Sequence, residues 1–303
     1  MSTAVRSESC STRQHQWAGL WFVAPCVLGL LVFTYGPTLV SFVLSLSHWD
    51  LLGSWAWAGF DNYQQVVNDP LFLVALKNTL LLMGVSGAVE ILLGGALAVV
   101  MSRYGLQRFI GVYFLPVVTP LIAVSLVWGW LMDPADGVVN HLLGAWGVLD
   151  WLNHGEPVAW LFNTHTALGV LILLNVWKNL GYAMVLLFVG AQRIPSDLYD
   201  ASALDGAGGW QQTLFITLPL MMPVAVVVLL MTCINGMQAF DSVYLLTQGG
   251  PQQSTQVLMH WMFQEAFQFF EVGPASAIAY IVFVLIVGLT TMQWWVRRVE
   301  RSY

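Results

Sequence analysis

The sequence has 303 residues, 58% of them hydrophobic and 9% charged, with a net charge of −6 and a mean hydropathy of +0.72. Such a chain cannot solvate its own surface in water, so lipid is its main solvent, and a negative balance without a basic patch excludes nucleic acid as a partner. Cys10, Cys26 and Cys233 have no paired spacing, which argues against a disulfide framework or a thiolate metal site.

Residues 1–16 form a polar tail carrying Arg6 and Arg13. The first apolar run, about 17–38, reads as an uncleaved first span because five more runs follow it. Gly36-Pro37 either kinks or ends it, since residues 38–46 continue apolar. A Trp-rich stretch with Trp49, Trp55, Trp57 and Tyr63 then reads as an interfacial belt. The second span, about 76–101, contains Glu90, and a tight turn with Arg103 and Arg108 leads to the third, about 109–132. Pro116 and Pro120 lie inside that third span, where a helix tolerates them only with help from its neighbours. An acidic loop, residues 133–163, precedes the fourth span, about 167–191. The fifth is about 215–240, a second acidic loop runs from 241 to 273, and the sixth span is about 275–296, before a short tail, residues 297–303.

Each run has the roughly 20 residues that a helix needs to cross a bilayer. The expected fold is therefore an all-α integral membrane protein with six transmembrane helices. All eight arginines fall on the face shared by the two termini, so the positive-inside bias makes the termini and residues 192–214 cytoplasmic.

Within the spans, polar groups are the exceptions that matter, because each is costly in hydrocarbon. Asn175, Asn179 and Tyr182 share one helical face, with Lys178 beside them; Asn235, Gln238 and Asp241 repeat every three residues. Amides, a phenol and nearby aromatic rings suit a polyhydroxylated solute, although the same groups also serve to join helices. Glu90 and Lys178 are the charged residues well inside spans, and an ion pair between them is one arrangement open to them. The chain has no GxxxxGK phosphate loop, HExxH or GxSxG motif, so it reads as no enzyme, and any nucleotide that powers it must be bound by another polypeptide.

The most informative interval is polar, residues 193–219. Pro195 suits the first turn of a helix, Asp197 suits its N-terminus, and Leu198, Ala201 and Ser202 give it a low-relief face. Asp205-Gly206 breaks that helix, and Gly208-Gly209 loosens the chain before the next run.

This interval resembles the cytoplasmic EAA loop of bacterial ABC importer permeases, whose pattern is EAA, three residues, Gly, nine residues, then I-x-L-P. Asp200, Ala201 and Ser202 take the EAA places, Gly206 the glycine, and Ile216, Leu218 and Pro219 the ending, with both spacings intact. Asp200 and Ser202 depart from the pattern but keep charge and small size. Further matches are GFDNY at 59–63, Lys77-Asn78-Thr79, FLP at 114–116, Gly137 with Asn140, Leu204 to Ala207, and LLTQGGP at 245–251. Taken together, the chain resembles the first permease of the carbohydrate-uptake group, related to the maltose and glycerol-3-phosphate systems.

The resemblance implies a type I permease fold in a bacterial cytoplasmic (inner) membrane. It implies a second homologous permease, two ABC ATPase subunits that hold ATP and Mg, and an extracytoplasmic solute-binding protein that meets the two acidic loops. Pro195, Leu198, Asp200, Ala201, Ser202, Leu204, Asp205, Gly206, Ala207 and Pro219 would then contact the ATPase. Asn175, Lys178, Asn179, Tyr182, Asn235 and Gln238 would line the path of a sugar, with glycerol phosphate or a glycosylated osmolyte as the alternative solute. A stand-alone secondary transporter or a structural membrane subunit is the reading of another class; the lack of a discontinuous internal repeat counts against the first.

Overall fold

A computed structural model describes residues 21–49, 53 and 55–300, with the backbone alone for residue 152 and residues 296–300. The N-terminal tail, the expected start of the first span at Trp17, Cys10, and the arginines 6, 13 and 301 lie outside the described residues. The helices are α1 Trp21–Ser45, α2 Asp61–Asn68, α3 Pro70–Tyr104, α4 Ile110–Val118 and α5 Leu121–Leu131. There follow α6 Val138–Ala145, α7 Val148–Asn153, α8 Ala167–Gln192 and α9 Ser196–Leu204. Last come α10 Gly209–Met237, α11 Asp241–Leu246, α12 Leu258–Phe263 and α13 Val272–Glu300. A two-residue pair of strands, β1 Ser47–His48 and β2 Ala56–Trp57, is antiparallel.

Among the described residues, five helices are long and apolar enough to cross a membrane: α1, α3, α8, α10 and α13. The third expected span is not one helix. The segments Gln107–Val118 and Leu121–Leu131 meet at 90°. The cause is local: a residue before proline is pushed out of the helical region, and Thr119, before Pro120, takes φ −69°, ψ 140°. Prolines elsewhere are absorbed rather than broken. Pro37 cannot donate a helical hydrogen bond, and a wide π turn at Leu31–Tyr35 lets α1 run on to Ser45. A second π turn, Thr213–Thr217, does the same below Pro219 in α10.

The core lies where α3, α8 and α10 cross. Ala98 and Met101 of α3, Met184, Leu187 and Phe188 of α8, and Met221 and Val228 of α10 make one buried cluster. Small residues allow the backbones to approach, as in other membrane helix pairs. A side chain at Gly181 of α8 would collide with the Tyr113 carbonyl of α4, so the broken helix is seated against α8 there. A second cluster, Val66, Ala75, Met237, Leu258, Trp261 and Ile278, ties α13 to α2, α3, α10 and α12. Trp21, Phe22 and Phe33 of α1 stay exposed, as side chains solvated by lipid would be.

Several matched sequence motifs turn out to be loop clamps. Asn62 of GFDNY is buried and donates to the Ser45 and Ser47 carbonyls at 2.9 Å, while Tyr63 meets the Ser45 hydroxyl at 2.8 Å. Asn78 donates to the Gln256 carbonyl at 2.9 Å, and Thr79 accepts from the Leu258 N–H at 3.0 Å. Asn140 donates to the Pro134 and Val158 carbonyls and accepts from the Trp160 indole at 2.8 Å. Each is a buried or partly buried amide or hydroxyl that satisfies loop backbone which would otherwise be left unpaired.

Candidate functional site

Two regions collect the residues singled out by sequence. The first is a cavity of about 290 Å³ between α8, the end of α10 and the start of α5. Asn175, Lys178 and Asn179 enter it from α8, Asn235 and Gln238 from the end of α10. The second face of the set closes because α10 stops at Met237: beyond Gln238 the chain turns, and Phe240, Asp241 and Ser242 complete the wall. Sequence reasoning placed Asp241 in the same array but left Phe240 out, since helical periodicity ends at that turn. Leu121, brought in by the 90° bend, supplies an apolar surface opposite.

The donors and acceptors in this cavity are unequally committed. Asn179 donates to the Asn175 side-chain oxygen at 2.5 Å, and Asn175 reaches the Ser86 hydroxyl of α3 at 3.5 Å. Asn235, Gln238 and Asp241 are exposed to the cavity, and their side chains make no hydrogen bond among the described residues. Lys178 differs. Its Nζ donates to the carbonyls of Pro116 at 2.7 Å, Val117 at 2.9 Å and Thr119 at 2.6 Å. These carbonyls lie at the C-terminal end of α4 and its cap, where the Pro116 carbonyl also accepts from the Thr119 N–H and hydroxyl, and a cation at a helix C-terminus complements the macrodipole. All three ammonium hydrogens are thereby used.

Glu90 and Lys178 do not pair: Lys178 is engaged with α4, and Glu90, 2% exposed in α3, leaves its Oε2 without a partner. Tyr182, half-buried and about one turn along α8 from Lys178, is not among the residues that line this cavity.

The second region is the helical turn around α9. Pro195 is its N-cap, with ψ 135°, and Asp205 ends it. Gly206 then takes φ +83°, a left-handed conformation that side-chain-bearing residues resist, and the Ala207 N–H returns to the Ser202 carbonyl at 2.9 Å. Ser202, where the family pattern has alanine, uses its hydroxyl: it accepts from the Gln212 amide at 2.9 Å and donates to the Tyr199 carbonyl. Tyr199 also meets the Thr217 hydroxyl at 2.9 Å, so α9 is fastened to the start of α10. Its other face is bare. Leu198, Asp200, Ala201 and Leu204 are exposed, Leu204 at 90%, and Trp210 follows at 76%. Pro219 lies further along α10 and is exposed as well.

Residues 90–303 match the family described as binding-protein-dependent transport system inner membrane component. The chain belongs to this family. The permease is 34% identical over 277 residues to the probable ABC transporter permease protein YurN of Bacillus subtilis (strain 168), covering 90% of this chain and 93% of that one. It is 31% identical over 304 residues to the lactose transport system permease protein LacF of Rhizobium radiobacter, covering 97% and 99%. Over 288 residues it is 30% identical to the trehalose/maltose transport system permease protein MalF of Thermococcus litoralis, covering 94% and 95%. In fold it is similar to a chain of the crystal structure of a bacterial ABC transporter that imports the acidic polysaccharide alginate, with a TM-score of 0.77, 22% identity, and coverage of 93% and 97%. The protein is thus a permease subunit of an ABC importer in the bacterial inner membrane, a transport component rather than an enzyme.

Proposed function

We propose that the permease carries a small neutral carbohydrate, presented by an extracytoplasmic binding protein, through the cavity between α8 and the end of α10. It works with a second homologous permease and two ABC ATPases that bind ATP and Mg. Its chain crosses the membrane six times, the bent pair α4–α5 counting as one crossing, with both termini and residues 192–214 in the cytoplasm. The exposed face of α9, with Leu198, Asp200, Ala201 and Leu204, and the turn at Asp205, Gly206 and Ala207, dock on the ATPase.

The observation that carries this reading is the convergence of unpartnered polar groups in one cavity. Asn235, Gln238 and Asp241 offer donors and acceptors, and Phe240 and Leu121 offer the apolar faces that sugar C–H surfaces need. A neutral solute is favoured over glycerol phosphate, because the cavity's ammonium is committed to α4 while Asp241 stays free and would repel an anion. Relatives named for lactose and for trehalose/maltose support the same class.

The test is uptake by the assembled importer of lactose, maltose, trehalose and glycerol 3-phosphate, each radiolabelled. Uptake of one of the sugars, with none of the phosphate ester, is the expected result. Uptake of the phosphate ester alone would contradict the reading.

A further inference from the structure

Four aromatic rings lead away from the cavity at the end of the bundle opposite α9. Phe240, in the cavity wall, stacks on Tyr244 with centroids 5.3 Å apart and planes at 22°. Tyr244 meets Phe263 edge-on at 5.2 Å, and Phe263 lies 5.1 Å from Phe267. The row is half-buried at the cavity and open at its far end. Phe240 and Phe263 are half-buried, Tyr244 is exposed, and Phe267 is 65% exposed.

The row is held from behind by a polar layer. Buried His260 sits 6.2 Å from both Phe240 and Tyr244, and its Nδ1 meets the Gln256 side-chain oxygen at 2.8 Å. Gln256 donates in turn to Gln264 at 2.6 Å, and the Trp261 indole donates to Glu265 at 2.8 Å. A π turn, Gln264–Gln268, widens the helix between Phe263 and Phe267 and sets where the last ring stands. The Tyr244 hydroxyl has no hydrogen-bond partner among the described residues.

A core cluster would be buried throughout, whereas this row opens at Tyr244 and Phe267. These rings are in mutual contact, open at the far end, backed by hydrogen-bonded side chains, and continuous with the polar cavity. Flat apolar surfaces with an occasional free hydroxyl match the alternating C–H faces and hydroxyls of a pyranose.

We propose that Phe240, Tyr244, Phe263 and Phe267 form a stacking track for pyranose rings, along which the solute passes from the binding protein's side of the permease into the amide cavity. The inference rests on the reading that this cavity holds the solute. It also specifies the solute as a ring sugar rather than an acyclic polyol.

The importer, assembled with its partner subunits and binding protein in proteoliposomes, is tested for initial uptake of maltose, lactose and trehalose. Phe267→Ala and Phe263→Leu are expected to lower uptake of the carried sugar roughly threefold to tenfold, the worth of one aromatic contact. Phe267→Tyr, which keeps the ring, should retain it. Co-purification with the partner subunits controls for folding. If Gln238→Leu lowers uptake while the track variants do not, the track is overturned and the cavity stands. If Phe267→Ala instead weakens capture of the sugar-free binding protein, the rings are a docking surface and the track is overturned. Failure of Gln238→Leu to lower uptake, or wild-type refusal of all three sugars, overturns the cavity reading and the track with it.

Discussion

Lys178 Nζ stands 2.7 Å from the Pro116 carbonyl oxygen, the first of three bonds by which α8 closes the broken end of α4. The relationship makes a charged residue inside a span structural. It braces the 90° bend that Pro120 imposes, and the bend brings Leu121 to the cavity.

Lys178→Met should therefore destabilise the permease without first affecting solute chemistry. Three carbonyls lose a charged donor, and a loss on the order of 3 kcal/mol is expected. Thermal unfolding of the purified complex in detergent checks this, with limited proteolysis near Thr119 as a local readout. A melting temperature equal to that of the wild type would mean that α4 ends securely without the lysine.

At Gly206 the constraint is conformational. A Cβ there meets nothing within 4 Å, so the cost of substitution comes from φ +83° alone. Gly206→Ala should destabilise the turn by about 1 kcal/mol and keep uptake. Gly206→Glu puts a bulky charge beside the exposed α9 face, and should leave the permease in the membrane but detach or uncouple the ATPase. Normal uptake together with normal ATPase co-purification in that variant would remove α9 from the coupling role.

Stability at the end of the bundle bearing the aromatic row should depend on pH through His260. Burial lowers its pKa from the usual value near 6.5. The unfolded chain therefore takes up a proton first as pH falls, so stability is complete above about pH 6.5 and declines until the folded pKa is passed, by at most about 1.4 kcal/mol per pH unit. Melting temperatures between pH 7.5 and 5 measure this, with His260→Gln as the comparison. An identical slope in the variant would assign the dependence to another group.

The structural reading also orders the cavity variants. Asn235→Leu and Gln238→Leu remove side chains with no internal partner, so they should impair uptake while the protein remains stable. Asn179→Leu breaks a bond to Asn175, and should reduce both. Uptake and unfolding measured on the same three preparations distinguish the two patterns.

Much of this architecture was legible in the sequence. Helices of bilayer length are written in hydropathy, and the Asp200 to Pro219 spacing identified the family because a turn needing Gly206 and a helix entering at Pro219 leave fixed marks. Polarity also found six of the cavity residues, Asp241 among them. What could not be read depends on contacts between distant parts of the chain. Lys178 is about sixty residues from the carbonyls it caps, and nothing in its own neighbourhood announces them. Pro116 and Pro120 signalled a disturbed helix but not its direction. Tyr182 fell on the correct helical face, yet a face is longer than a cavity. Phe240 and the rings beyond it were missed because they follow the end of α10, where periodicity no longer predicts which side chains meet.

Solute transfer through the amide cavity is tested most directly by Gln238→Leu in the reconstituted importer, with initial uptake measured for the sugar that the wild type carries. Uptake at least tenfold lower, while the loaded binding protein still stimulates ATP hydrolysis, is the predicted result. Uptake equal to the wild type would place the solute elsewhere and contradict the account.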